Sequence, residues 1–276
     1  MAKRILLILL ALVVIAGAAI AAFVVLNPLD DEPAVSASGA ETEEDEDLGT
    51  IEIYYVLDDG TLEPEATGLT ARVWDTFTRV TTMDFAAEVM TEFRVGDAPD
   101  SDTLAYVYQD TNPQYWVLAA NLATSEDETQ LIATLVHEYA HILTLTESEM
   151  VAGVDDCATI ETSEGCAVDD AYLWQFQQQF WADYGDDAPD VDNGDDDIAY
   201  DFYLAHEDDF VSDYAATNVV EDLAESFMTF VLEEQPAEDA DTVTAAKLNF
   251  FWQYPELEAI RERIRDEFAS ELGLGV

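Results

Sequence analysis

Apolar and polar positions follow three kinds of pattern along the chain. Residues 5–26 carry no charge and follow Met1-Ala2-Lys3-Arg4. As a helix such a stretch reaches about 33 Å, enough for a bilayer core. It predicts a signal anchor embedded through residues 5–26, with Lys3 and Arg4 on the cytoplasmic side and everything after it outside the cytoplasm. The small residues Ala16-Gly17-Ala18 keep a cleaved signal peptide over residues 1–26, and hence secretion, as the alternative. Residues 27–48, which include the run ETEEDED, read as an acidic linker. The folded region is therefore expected over residues 49–276.

Within that region, Ile51, Ile53, Tyr55 and Leu57 alternate with other residues and predict a strand ending at Asp58-Asp59-Gly60. Leu69, Val73, Trp74 and Phe77, then Phe85, Val89, Met90 and Phe93, fall at helical spacing across 69–94. Short β-rich runs follow at 104–108 and 115–118. Ser125 and Glu128 make a capping-box pattern for a helix running to about Thr144. Tyr172, Leu173, Phe176, Phe180 and Trp181 predict another amphipathic helix, and 219–234 and 243–268 two more, the last interrupted at Pro255. The Asp-rich stretch 183–197 reads as a surface insertion. The sum is an α+β fold, mainly helical with a small sheet.

Charge changes the picture of the surface. Nine Lys and Arg face 61 Asp and Glu, a formal net charge of −52. Phosphate backbones are repelled by such a chain, so nucleic-acid binding is excluded as an expectation. Lysine occurs only at Lys3 and Lys247. Acidic side chains that repel one another in dilute buffer are better tolerated where salt screens them, which points to a halophilic, saline exterior. Cys157 and Cys166, separated by ATIETSEG, are expected to form a disulfide outside the cytoplasm.

The chain has three histidines, and two of them fall in His137-Glu138-Tyr139-Ala140-His141, inside the expected capped helix. Histidines four apart share one helical face, so both imidazoles can hold one zinc ion while Glu138 approaches a water as general base. A catalytic zinc site ordinarily has a third protein ligand. The metzincin pattern needs a glycine three residues after His141 and a histidine three further on; Thr144 and Glu147 stand there instead. Glu147 and His206 remain weaker ligand candidates. Better placed is Glu221, which shares a helical face with Glu225 inside the apolar stretch Leu223, Ala224, Phe227, Met228, Phe230 and Val231. Carboxylates among such neighbours are costly unless a cation compensates them. The Asp-rich stretch hints at calcium, although Gly194 falls where an EF-hand loop needs a ligand.

The HEYAH motif followed by a glutamate-bearing second helix resembles the gluzincin metallopeptidases. Residues 214–225, with seven residues from Tyr214 to Glu221, most resemble the protease domain of anthrax lethal factor. The likeness covers about residues 103–232 and not residues 1–100. It implies a zincin-like metallopeptidase fold with His137, His141 and Glu221 as zinc ligands. Glu138 would be the general base, Tyr214 the hydroxyl that stabilises the oxyanion, and Glu225 the carboxylate that orients a ligand histidine. It also implies that the strand at 115–118 is the sheet edge that pairs with extended substrate. The expected function is zinc-dependent endopeptidase action on a peptide or protein outside the cytoplasm. The alternatives are a catalytically inactive relative that binds metal or peptide, and an acidic cell-surface structural protein.

Overall fold

The computed structural model describes residues 35–237 and 240–274. The expected anchor at 5–26 lies outside the described residues, among which no helix is long and apolar enough to cross a membrane. The larger sheet holds β1 (Glu41–Asp45), β2 (Gly49–Val56), β3 (Leu62–Glu63), β4 (Met90–Gly96), β5 (Ala105–Gln109) and β6 (Trp116–Asn121). Its order is β1-β2-β4-β6-β5, with β3 paired to β2 as a hairpin. Only β4 and β6 run parallel; the other pairs are antiparallel.

Two strands depart from the expectations. β1 lies within the acidic run read as a linker: Glu41–Asp45 pairs residue by residue with β2. Ala40 and Leu48, at its two ends, are buried. An edge strand tolerates charge because its outer side meets water, and here Glu43 also reaches Arg94 at 3.3 Å. The second is β4. Met90 and Phe93 fit a helical repeat, yet the helical pattern ends at Val89 and both side chains are buried in the sheet. Helical and strand periods are hard to separate over so few apolar residues. Phe93 packs on Trp74, ring centroids 5.3 Å apart.

The helices are α1 (Gly68–Thr81), α2 (Met83–Val89), α3 (Glu128–Thr144), α4 (Tyr172–Phe180), α5 (Asp196–Ala205), α6 (Val219–Leu232), α7 (Val243–Phe251) and α8 (Pro255–Glu267). Leu135 through Ala140 are all buried, so α3 runs through the middle of the domain. It packs against α1 on one side and α6 on the other, and α4, α7 and α8 close over α6. The cap of α3 is Asp127, whose side chain accepts from the Gln130 amide at 2.9 Å. Ser125, expected in that role, donates instead to the Asn121 carbonyl at 2.7 Å as the chain leaves β6.

A small sheet, order β7-β9-β8, follows α3: β7 (Met150–Val151), β8 (Glu161–Thr162) and β9 (Gly165–Ala167). The Cys157–Cys166 disulfide staples it, Cα atoms 5.5 Å apart. Gly165 has φ +141°, and a Cβ there would stand 2.6 Å from the Val151 carbonyl oxygen, so the hairpin needs glycine at this position.

Basic side chains are placed where they tie elements together. Arg261 donates to the carbonyls of Val231 and Glu233, and Arg265 to that of Leu232, capping the C-terminal end of α6. Arg263 does the same for Arg79 and Val80 at the end of α1. Arg72 reaches the Ser125 and Glu126 carbonyls just before α3. Every lysine and arginine among the described residues has a protein partner of this kind.

Candidate metal centre

The floor of the site is the crossing of α3 and α6. α3 brings His137, Glu138 and His141 into the protein interior, and α6 brings Glu221 in its first turn and Glu225 one turn later. The start of α6 is held by Asn218, whose side-chain oxygen accepts from the amides of Val220 and Glu221 at 2.9 and 3.0 Å. Glu221 therefore sits at the positive end of a capped helix, where an anionic side chain is favoured.

Three donor atoms converge. His137 Nε2 and His141 Nε2 are 3.0 Å apart, and Glu221 Oε2 stands 3.1 Å from the first and 3.4 Å from the second. Yet Glu221 Oε2 is buried and has no hydrogen-bond partner of acceptable geometry. Ligand atoms bound at about 2.0–2.1 Å to one tetrahedral ion stand roughly 3.3 Å from each other. The donor set thus fits a single cation, and it is the only such group of His, Cys, Asp and Glu among the described residues. The opposite nitrogen of His137, Nδ1, lies 2.9 Å from Glu225 Oε1. A proton on Nδ1 donated to that carboxylate leaves Nε2 free to ligate.

The electrostatics of the cluster follow from its crowding. Burial works against a charged His137, but the Glu221 and Glu225 carboxylates override it and raise its pKa well above the ordinary value. Burial would also raise Glu221, yet His141 and His137 hold it below the usual carboxylate range. Glu225 is lowered despite burial by His137 and Ser212. Glu138 goes the other way: burial raises it, against the pull of both histidines and of the Val107 amide that donates to it.

Above these residues opens a cleft of about 250 Å³, walled by β5, the tip of the β8–β9 hairpin and the Asp-rich stretch. Tyr214 lies on its rim in a 3-10 turn, Tyr214–Ala216, its ring centroid 5.9 Å from that of His137. Desolvation and the carboxylates of Glu221, Glu138 and Glu225 raise the phenol, so it remains a hydrogen-bond donor. The strand beside the cleft is β5, not the run at 115–118: β6 is enclosed between β4 and β5. Leu104 and Asp110 bond inward to Asn121 and Tyr115 at the two ends of the β5–β6 ladder. Antiparallel alternation then turns the amides and carbonyls of Ala105, Val107 and Gln109 outward.

The weaker candidates lie elsewhere. Glu147 is exposed in a neighbouring hollow with Gln109, Met150 and Val151. His206 packs its ring on Tyr184 and Phe202 and has Asp209 Oδ2 at 3.8 Å. The carboxylates of the Asp-rich stretch form no converging group; Asp195 caps α5 instead, accepting from Asp197 and Ile198. That stretch is more than a surface insertion, because Val191 and Asp192 line the cleft and the Asn193 side chain donates to the Thr217 carbonyl. Residues not anticipated are Asn218, recognisable as a cap ahead of an apolar helix, and Ser212, for which the sequence carries no signal. Compared with protein-family models, with curated proteins and with solved structures, the chain shows no significant match.

Proposed function

We propose that the chain is a zinc-dependent endopeptidase. The observation that carries this reading is the convergence of His137, His141 and Glu221 around one orphaned carboxylate oxygen, with buried Glu138 beside them at the edge of a cleft. Two imidazoles and a carboxylate suit zinc, which when bound supplies Lewis-acid polarisation of a peptide carbonyl and makes a water easier to deprotonate.

The protein's own groups supply the rest. Glu138, raised by burial, takes the proton of the attacking water and returns it to the leaving amine. The Val107 amide donates to the Glu138 carboxylate and so fixes it against β5. Tyr214 offers a donor where negative charge develops on the carbonyl oxygen. Glu225 keeps His137 in the tautomer that ligates. An extended peptide laid along β5 finds the outward amides of Ala105 and Gln109 and the outward carbonyls of Ala105, Val107 and Gln109, which favours a chain substrate over a small molecule. The disulfide and the apolar stretch 5–26 support a tethered domain outside the cytoplasm, with secretion after cleavage as the other route.

The test is metal content and hydrolysis of a mixed fluorogenic peptide library by the full chain. One zinc per chain is expected in the parent, and little in Glu221→Ala. Glu138→Gln should keep its zinc and lose about 10²–10⁴-fold in turnover. Zinc without hydrolysis in the parent would leave a metal- or peptide-binding relative, and a folded parent without zinc would discard the reading altogether.

A further inference from the structure

Glu225 does not end at His137. Its second carboxylate oxygen, Oε2, lies 2.5 Å from Ser212 Oγ, and Ser212 Oγ lies 3.1 Å from the Ala215 amide nitrogen. The direction of this chain is fixed by chemistry. A backbone N–H can only donate, so Ser212 accepts from Ala215, and its own proton goes to the ionised carboxylate. One continuous path of hydrogen bonds therefore runs from the ring of a ligand histidine to the turn that carries Tyr214.

We propose that Ser212 is a positioning residue that couples occupancy of the metal centre to the placement of Tyr214, through His137, Glu225 and the Ala215 amide. This rests on the reading of His137, His141 and Glu221 as a metal site. A cation on Nε2 of His137 makes its Nδ1–H a stronger donor to Glu225. Charge-assisted hydrogen bonds are the strong ones, and those that share a carboxylate polarise one another. The turn Tyr214–Ala216 is short, and the Tyr214 side chain is half-exposed, so little packing fixes its ring. Ala215 and Ala216, by contrast, are fully buried. The rival account is that their packing and the Asn218 cap hold the turn without help.

Amide hydrogen exchange separates the two without needing a substrate. Exchange over residues 211–218 is measured in the full chain with and without added Zn²⁺, for the parent, Ser212→Ala and Ser212→Thr, with Zn²⁺ affinity determined by chelator competition. Zinc is expected to slow these amides in the parent by about tenfold, taking the lower end of what an outer partner contributes to metal affinity as the size of the coupling. The slowing should vanish in Ser212→Ala, which still binds Zn²⁺, and return in Ser212→Thr. Ser212→Cys, which keeps the volume with a weaker donor, should give a partial effect if Ser212→Ala proves too unstable to handle. Equal slowing in the parent and Ser212→Ala, or none in a zinc-loaded parent, overturns the coupling alone. A folded parent that takes up no Zn²⁺ overturns the metal reading and the coupling with it. Where hydrolysis is measurable, Ser212→Ala should lower kcat with KM unchanged, and add little to Tyr214→Phe; multiplicative losses would overturn action through Tyr214.

Discussion

Glu221 and Asp222 are neighbours in sequence, both carried by the first turn of α6, and they meet opposite fates. Successive residues of a helix point about 100° apart, so one faces α3 and the cleft while the other faces α7. Asp222 is completely buried and fully served. Lys247 Nζ lies 2.7 Å from its Oδ2, Trp181 Nε1 donates at 2.7 Å, and Ser226 donates at 3.3 Å. Lys247 in turn donates to the Asp209 carbonyl at 2.7 Å and stands 3.9 Å over the Phe210 ring. Glu221 has only the two titratable histidines beside it, no lysine or arginine among the described residues, and an oxygen without a hydrogen bond. A chain with so few lysines puts one of them, sealed from solvent, against Asp222 and none against Glu221. A buried carboxylate supplied with its own cation holds the fold together; one left without invites a cation from outside.

Breaking the first side should cost stability and spare the metal. Lys247→Met leaves Asp222 buried and unpaired, a loss of about 3–5 kcal/mol in denaturant unfolding. Pairing it with Asp222→Leu should recover most of that loss, since the uncompensated charge goes with it. Zinc affinity in Lys247→Met, measured below the unfolding transition, should match the parent; a large fall would show that the two faces of α6 are not independent. Glu221→Ala should lose metal binding, while the metal-free protein loses less stability than in Lys247→Met, since both histidines can shed a proton once the carboxylate is gone.

Tyr214→Phe sharpens the comparison at the cleft. On the proposed peptidase reading its hydroxyl meets charge that exists only during reaction, so kcat should fall about 10²–10³-fold while KM and zinc content hold. Equal loss in binding and turnover would make Tyr214 a contact for bound substrate instead.

The same physical distinctions explain what the amino-acid pattern revealed. His137, Glu138 and His141 were legible because their spacing is itself a helical geometry, and Glu221 because charge at helical spacing inside an apolar helix demands a reason. The disulfide was legible from two cysteines close in sequence. β1 was not, because Glu41–Asp45 has the composition of a solvated spacer and owes its strand to pairing with β2. β4 was hidden because Met90 and Phe93 continue the helical spacing of Phe85 and Val89. Ser212 could not be seen at all: its role depends on a contact thirteen residues away, across a turn and a helix cap. β1 also bears on experiment, since a fragment cut at Gly49 would strip the edge of the sheet.

Surface carboxylates provide a third kind, neither paired inside nor waiting for a metal. With net charge −52 and every described basic side chain already committed, most of them face water and one another. Raising salt from about 0.1 to 3 M should therefore raise the unfolding midpoint steeply, because screening weakens repulsion between exposed charges. The deficit of Lys247→Met should persist across that range, since buried pairs are little screened. A flat profile in the parent would remove the halophilic reading.

Asp45 gives the smallest effect and the sign that completes the set. Burial would raise its carboxyl, but donation from the Tyr106 hydroxyl and from the Leu48 and Asp47 amides outweighs it and lowers the pKa below 3.8. The Tyr106 contact is 2.5 Å, and the two amides lie at 2.8 and 2.9 Å. A carboxylate lowered in the folded state adds stability that is complete above its unfolded pKa and is lost as pH falls through the folded one. Asp45→Asn should therefore cost on the order of 0.5 kcal/mol near neutrality, discounted for its solvent exposure, and the difference from the parent should fade as pH falls below 3.8. Asp222 has the opposite sign, because burial raises its carboxyl even beside Lys247. The Asp45→Asn deficit therefore grows as pH rises toward the unfolded value, whereas the deficit of Asp222→Asn should shrink as pH rises from 3.8 toward about 6, where the folded protein holds the extra proton. If both differences ran the same way with pH, Asp222 would be held by its hydrogen bonds in the manner of Asp45, and the contrast across α6 would reduce to Glu221 alone.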